Sequence, residues 1–246
     1  MNYEGLSPSE LAARLKTPCC LALPKVTSTL DIIHEMAAEG APAQTLVLAD
    51  EQAAGRGRYG RAWQSPKGAG VWLGYLLRPK ERPEGGVLAL RVGLGLVGAL
   101  EALGVVAQLK WPNDVVTRDR KICGILCESR WMGQSVSWVA VGIGINVHGP
   151  VPPGLADRAV TLEEMRPGST RLDMLEAVIP RLHAISAKPT LSEDERDDYR
   201  EHDWLSQRRI VEPVTGESCG IDLDGALLVR TASGIERVVG GSVVAA

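Results

Sequence analysis

The sequence predicts an α+β fold: a mixed, largely antiparallel sheet with flanking helices, followed by a small β-barrel. Apolar runs of strand length recur between residues 21 and 147, with two stretches of helical periodicity among them. The last two runs, "KICGILCESRW" (121 to 131) and "SVSWVAVGIGINV" (135 to 147), are separated by a tight turn around Met132 and Gly133, the pattern of an antiparallel hairpin. From Ser206 the texture changes to short alternating segments with evenly spaced turns. The chain therefore divides into a mixed α and β domain, residues 1–205, and a compact β module, residues 206–246.

In chain order, "LALPKV" (21 to 26) is a short strand. In "STLDIIHEMAAEG" (28 to 40), Ser28 or Thr29 supplies an N-cap, Asp31 an acidic first turn, Ile32, Ile33 and Met36 an apolar stripe, and Gly40 a stop; together they specify a helix of about three turns. "TLVLAD" (45 to 50) is a buried-strand candidate, and a glycine- and arginine-rich stretch follows it. "GAGVWLGYLLRP" (68 to 79) is the next strand. "GGVLALRVGLGLVGALEALG" (85 to 104) has helical character despite its interior glycines, and "VVAQLKW" (105 to 111) is again a strand.

Beyond the hairpin, "RLDMLEAVIPRLHAISAK" (171 to 188) aligns Leu172, Leu175, Val178, Ile179, Leu182 and Ile185 on one helical stripe, with Pro180 set to kink it. "SEDERDDYREHDW" (192 to 204) continues as a solvated helix. The β module is expected from "RRIVEPV", "ESCGIDL", "GALLVR" and "GIERVVG", turned at Thr215-Gly216, Asp224-Gly225 and Ser233-Gly234.

The 246 residues are 45% hydrophobic and 23% charged, an ordinary globular balance that argues against a disordered chain. A core can form without staples, since a chain of this size buries roughly 70–75% of its unfolded surface. No apolar run approaches the ~18 residues of a spanning helix, and "MNYEGLSPSE" lacks a basic region followed by an apolar one, so no membrane partner is expected and the cytoplasm is the expected location. The five cysteines include no CxxC pair, which argues against a disulfide framework and a zinc ribbon; Cys123 and Cys127, in an apolar segment, are buried thiols on this reading, and no side-chain metal site is expected.

Net charge is −3, yet residues 51 to 67 hold Arg56, Arg58, Arg61 and Lys67 against Glu51 alone, +3, which leaves −6 for the rest. An acidic body with one basic loop points to a localised anion site and not to a nucleic-acid face. That loop contains "GRGRYGR" (55 to 61), whose first six residues fit G-x-G-x-x-G. A dinucleotide turn requires a helix to open on its third glycine; here "RAWQSPKGAG" follows, with Pro66 and no apolar stripe. Base stacking on Tyr59 and Trp63 would need a wider basic surface, and a loop with no ligand at all is the remaining alternative.

Other polar groups join it. "KWPNDV" (110 to 115) sets Asn113 and Asp114 in the loop past a strand end, where such groups face a shared crevice. Lys121 enters the next strand before Gly124, and Asn146 sits within an apolar, glycine-rich strand, where a buried carboxamide needs partners.

Taken together, "DEQAAGRGRYGRAWQSPKG", "KWPNDV", "DRKICGIL" and "GIGINV", in this order and at these separations, resemble the catalytic domain of biotin protein ligases from about Val26 to His148, and "GIDLDGALLVR" with "GIERVVGGSV" is similar to that family's small SH3-like domain. The resemblance implies a class II synthetase-like catalytic domain that joins biotin to ATP as biotinyl-5′-adenylate, releases pyrophosphate, and passes biotin to one lysine of a biotin carboxyl carrier protein domain. Biotin and ATP would be substrates, with Mg2+ expected alongside the triphosphate. By motif, Ser28, Thr29, Gln52, Gly55, Arg56 and Lys121, with backbone from Gly124, would surround biotin. Arg58, Arg61, Trp63, Asn113 and Asn146 would meet ATP, Trp63 beside adenine. Catalytic roles fall to Lys121 and Arg58, which would offset charge between the carboxylate and the α-phosphate, and to Asp114, which would face the acceptor lysine.

The chemistry calls for these residue types on its own account. Two anions must be brought together, which fork-shaped guanidinium groups favour, and glycines admit backbone amides to phosphate. A mobile loop that orders over the mixed anhydride would exclude water. The resemblance departs at Leu30, where Ser-Thr-Asn is common in the family, so a lipoate protein ligase and a non-catalytic biotin-binding protein of the same fold stay open. With about 20 residues ahead of the first core strand, no DNA-binding helix-turn-helix is expected, and pairing of two copies through sheet edges remains an option.

Overall fold

A short helix that apolar periodicity does not predict opens the chain. Ser7 accepts from the Glu10 amide, Glu10 bonds the Ser7 amide in return, and Pro8 takes the first helical position, giving α1 (Pro8–Leu15) with Leu11 and Leu15 buried. The computed structural model describes residues 1–81, 86–133, 135–151 and 154–246; Gly85, the expected start of the long helix, lies outside the described residues.

The elements that follow are β1 (Cys20–Leu23), α2 (Thr29–Ala38), β2 (Leu46–Ala49), a single 3-10 turn (Arg58–Gly60), β3 (Gly70–Leu77), α3 (Val87–Ala102), β4 (Gln108–Lys110), β5 (Asp114–Thr117), β6 (Arg120–Met132), β7 (Ser135–Asn146), α4 (Leu162–Met165), α5 (Arg171–His183) and α6 (Glu193–His202). The strands form one sheet in the order β1-β2-β3-β7-β6-β5-β4. The β1–β2 pair is parallel and the other pairs are antiparallel, as expected of a mixed, largely antiparallel sheet.

Helix α3 packs the sheet's core face; Leu90, Val92, Leu96 and Leu100 are fully buried. Its interior glycine at 93 has a steric reason, because a Cβ there would stand 2.4 Å from Leu109 Cδ1 of β4. Helix α2 covers part of the opposite face, with Ile33 and Leu30 against Val47, Leu76 and Ala140. Pro180 lies inside α5. Three expectations need correction. The strand proposed for 105–111 shrinks to β4, and β5, which includes Asp114, stands where a loop was expected. Helix α6 is not wholly solvated: Tyr199 is fully buried, and its hydroxyl donates to Asp203 at 3.0 Å.

Strands β8 (Arg209–Glu212), β9 (Gly216–Ile221), β10 (Leu227–Thr231), β11 (Gly234–Val238) and β12 (Val244–Ala245) form a second, antiparallel sheet in the order β11-β10-β9-β8-β12. Its Ile210, Ile221, Leu227 and Val229 share one buried cluster with α3 and the large sheet. The Trp111 indole N–H donates to the Gly225 carbonyl at 2.9 Å, which fixes the Asp224-Gly225 turn beside the β4–β5 connection. Among the described residues no helix is long and apolar enough to cross a membrane.

Candidate active site

A cavity of about 530 Å³ opens between the glycine–arginine loop and the strands β4 to β7. Its floor is a glycine pair: Gly124 of β6 lies opposite Gly144 of β7 in the antiparallel register. The Trp63 indole rests on that pair, so that a Cβ on Gly144 would meet its Nε1 at 2.3 Å and one on Gly124 its Cζ3 at 2.8 Å. Trp72 braces the indole edge-on, with ring centroids 6.5 Å apart. Trp63 Nε1, which faces the glycine floor, is buried with no hydrogen-bond partner among the described residues.

The loop is a small hairpin. The Gly57 amide donates to Arg61 O at 2.7 Å and the Trp63 amide to Gly55 O at 2.8 Å, and the 3-10 turn closes the tip. No helix opens on Gly60, so the loop is not a dinucleotide turn. Gly55 is buried and does not line the cavity; a Cβ there would press on the Trp63 carbonyl at 2.5 Å.

One wall is preorganised by a chain of fixed amides and hydroxyls. Ser28 is the N-cap of α2 and accepts from the Leu30 amide at 3.3 Å. Gln52 Oε1 accepts from both the Thr29 amide (2.8 Å) and its hydroxyl (3.1 Å), and Gln52 Nε2 donates to Ser65 at 2.8 Å. Its carboxamide orientation is thereby set, since only the oxygen can accept. Leu30, where the family pattern commonly has Asn, packs on Gly142 of β7.

The opposite wall is charged. Lys121 Nζ stands 2.6 Å from Asp114 Oδ1 and 5.0 Å from the centre of the Trp63 ring. Asp114 is the first residue of β5, held opposite Gly124, and so is carried by the sheet and not by a loop. Asn113 donates to Ile125 O at 2.7 Å and accepts from Arg58 Nη1 at 3.2 Å; the same Arg58 nitrogen donates to Gly241 O at 3.2 Å. Asn146 is the last residue of β7, not a mid-strand one, and donates to Lys121 O at 3.4 Å. Arg61 is exposed on the loop and faces the same cavity. The Arg56 guanidinium is engaged elsewhere, on Glu128 and Asp31. Every expected site residue except Gly55 thus lines one cavity.

The structure adds residues to this set. Lys110 lines the cavity from the end of β4, opposite Asp114 in register, with its ammonium 4.2 Å above the Trp204 ring. Burial is the main cause that lowers its pKa from the ordinary lysine value, with Lys121 and Arg208 adding to the effect and Asp114 opposing it. Its signal was present as the first letter of "KWPNDV". Ser242 and Val243, in the connection between β11 and β12, also line the cavity, and no periodicity could have placed them there.

Residues 22–146 match the biotin/lipoate A/B protein ligase family, and residues 211–244 match the biotin protein ligase C terminal domain. Among curated proteins, the chain is 36% identical to a biotin–[acetyl-CoA-carboxylase] ligase of Paracoccus denitrificans, over 80% of this chain and 88% of that protein. It is 32% identical to the bifunctional ligase/repressor BirA of Bacillus subtilis, over 95% of this chain and 77% of that protein. Among solved structures, biotin protein ligase from Aquifex aeolicus in complex with biotin and ATP superposes with a TM-score of 0.76 at 29% identity, over 92% of this chain and 98% of that one.

Proposed function

Since the chain belongs to the biotin/lipoate A/B protein ligase family, we propose that this cavity is where it works as an ATP-dependent biotin protein ligase, making biotinyl-5′-AMP and handing biotin to a carrier lysine. The observation that carries the reading is the gathering, in one cavity, of a preorganised amide wall, an indole over a glycine floor and the Lys121–Asp114 pair. The division into a catalytic part, 1–205, and a small β module, 206–246, belongs to the same proposal; every strand of the second sheet lies beyond residue 208.

In the first step a biotin carboxylate oxygen attacks the α-phosphorus and the α–β bridging bond breaks, releasing pyrophosphate. Lys121 supplies a positive charge between the reacting anions, and Asp114 holds its ammonium in place. Arg58, aimed by Asn113 and Gly241, meets the phosphates; donors preset for developing charge are commonly the largest catalytic contribution. Asn113, Asn146 and Asp114 offer oxygen donors of the kind a hard divalent cation takes, and Mg2+ is proposed to arrive with the triphosphate. In the second step the carrier lysine, neutral at the moment of attack, adds to the acyl carbon and AMP leaves. Asp114 is positioned to take the amine proton. The carrier domain, a homodimer through a sheet edge and the absence of a nucleic-acid partner are further parts of this proposal.

The test is pyrophosphate release by the full chain with ATP and either biotin or lipoate, without carrier. Biotin-dependent release is expected, with a fall of about 10² in Arg58→Ala, the scale of losing one charge-stabilising donor. Release with lipoate alone would assign the sister activity. No release with either acid would leave a binding protein.

A further inference from the structure

Arg56 alternates with glycine just as Arg58 does, yet its side chain takes another direction. Its Nε and Nη2 donate to the two oxygens of Glu128 at 2.9 and 3.0 Å, and its Nη1 donates to Asp31 Oδ1 at 2.6 Å. A guanidinium in bidentate contact with one carboxylate and bonded to a second is oriented in its plane. Glu128 belongs to β6 and Asp31 to the first turn of α2, and neither lines the cavity. One loop residue is therefore tied to both the sheet and the helix that frame the site.

Glu128 is braced in turn. His34 Nε2 lies 3.0 Å from Glu128 Oε2, and the Trp138 indole N–H donates to His34 Nδ1 at 3.0 Å. An indole N–H can only donate, so Nδ1 must offer its lone pair and Nε2 carries the proton toward Glu128. The line runs from β7 through α2 to β6 and ends on the loop. The Arg56 hydrogen bonds, aided by His34 and opposed by burial, hold the Glu128 carboxyl below the usual carboxylate range.

We propose that Arg56, Glu128 and Asp31 form a latch that holds the glycine–arginine loop in register over the cavity, so that Arg56 serves geometry while Arg58, two residues on, serves the phosphates. Glu128 and Asp31 are positioning residues in this account and touch no reacting atom. The latch itself is independent of the ligase reading; its consequence for turnover rests on that reading. A loop that stays closed shields the mixed anhydride. A loosened one admits water, whose oxygen attacks the acyl carbon, breaks the acyl–phosphate bond and yields free acid and AMP.

The test uses amide hydrogen exchange of the ligand-free full chain, followed at Gly57 and Trp63, whose N–H groups close the loop hairpin. Glu128→Gln and Arg56→Ala are each expected to speed exchange there about fivefold, the upper end for an ion pair that is not fully buried. The Arg56→Ala/Glu128→Gln double variant should add little to either, and Asp31→Asn should give a smaller change of the same sign. Arg200→Ala, which breaks an exposed pair on α6, should change nothing at the loop. Exchange within twofold of the parent in both single variants overturns the latch. In turnover, Glu128→Gln should release more AMP per carrier biotinylated; an unchanged ratio with accelerated loop exchange overturns the positioning role. Absence of pyrophosphate release by the parent would instead overturn the ligase reading, leaving the exchange result to decide the latch.

Discussion

Gly144→Ala probes the cavity floor with one methyl group. The added Cβ would stand 2.3 Å from Trp63 Nε1 and 2.4 Å from its Cε2, whereas unstrained heavy-atom contacts need roughly 3.5 Å or more. The indole must therefore retreat by about 1.2 Å, and it can, because Trp63 sits on a loop and is only half-buried. The strand has little reason to distort: Gly144 pairs with Gly124 and Trp72 in the sheet interior and has no left-handed backbone angle. Overpacking costs about 1–3 kcal/mol, and replacing a strand glycine by alanine recovers roughly 0.5–1 kcal/mol. A net loss up to about 2.5 kcal/mol lowers the melting temperature by no more than ~10 °C for a chain of this size, a shift that a melting curve of the variant checks.

Function should suffer more than stability. A displacement near 1 Å of a group that positions a reactant can cost about 10² in rate. Gly144→Ala is thus expected to lower the kcat/KM for ATP in pyrophosphate release about a hundredfold and that for biotin much less. Gly142→Ala supplies the contrast. Its methyl would press on Leu30, at 2.9 Å, and so on the Ser28–Thr29 wall; it should act chiefly on biotin. If Gly144→Ala keeps the ATP value within threefold of the parent, or if both variants affect both substrates equally, the assignment of Trp63 to the nucleotide side is wrong.

Two other outcomes follow from the charged wall and the latch. Asp114→Ala is expected to slow both half-reactions, transfer by about 10² or more and adenylation less, because in the proposed mechanism Asp114 holds Lys121 in the first step and takes a proton in the second; single-turnover measurements of each step separate them, and a variant normal in both removes Asp114 from the mechanism. For pH, the folded-state pKa of Glu128 is lowered, so its contribution is complete above the free carboxyl value of about 4.3 and is lost as pH falls through its lower folded value. Loop exchange, corrected for the intrinsic pH effect, should accelerate as pH falls below the free carboxyl range; acceleration on the alkaline side would contradict the latch.

Much of this arrangement could be read from the sequence, and the parts that could not share a cause. Helix α2 announced itself through cap, stripe and stop, and the β6–β7 hairpin through two apolar runs and a short turn, all local signals. Helix α1 carried its sign in Ser7 and Glu10, but with eight residues and two buried leucines it offers too little periodicity to detect. Strand β5 has four residues and begins on an aspartate; its strand character comes from pairing with β4 and β6. Tyr199 vanished among the charges of α6, although a lone aromatic in such a helix marks its buried face. The three loop arginines are equivalent on paper. What distinguishes Arg56 is Asp31 and Glu128, at separations of 25 and 72 residues, and no local pattern encodes those contacts.

That difference changes the electrostatics of the site. The loop's surplus of positive charge, counted along the sequence, suggested a localised anion site. In the folded chain Arg56 is compensated by two carboxylates and Lys121 by Asp114. Among the described residues Arg58 is bonded to neutral acceptors: the Asn113 side chain, the Gly241 carbonyl and the Tyr59 hydroxyl. Its orientation is fixed while its charge stays uncompensated, the condition under which a preset donor acts most strongly on an incoming phosphate. Arg61, Lys110 and Arg158 add further positive charge to the cavity lining. On the proposed reading a single glycine–arginine repeat thus serves two tasks, and partner charge, not sequence position, decides which arginine does which.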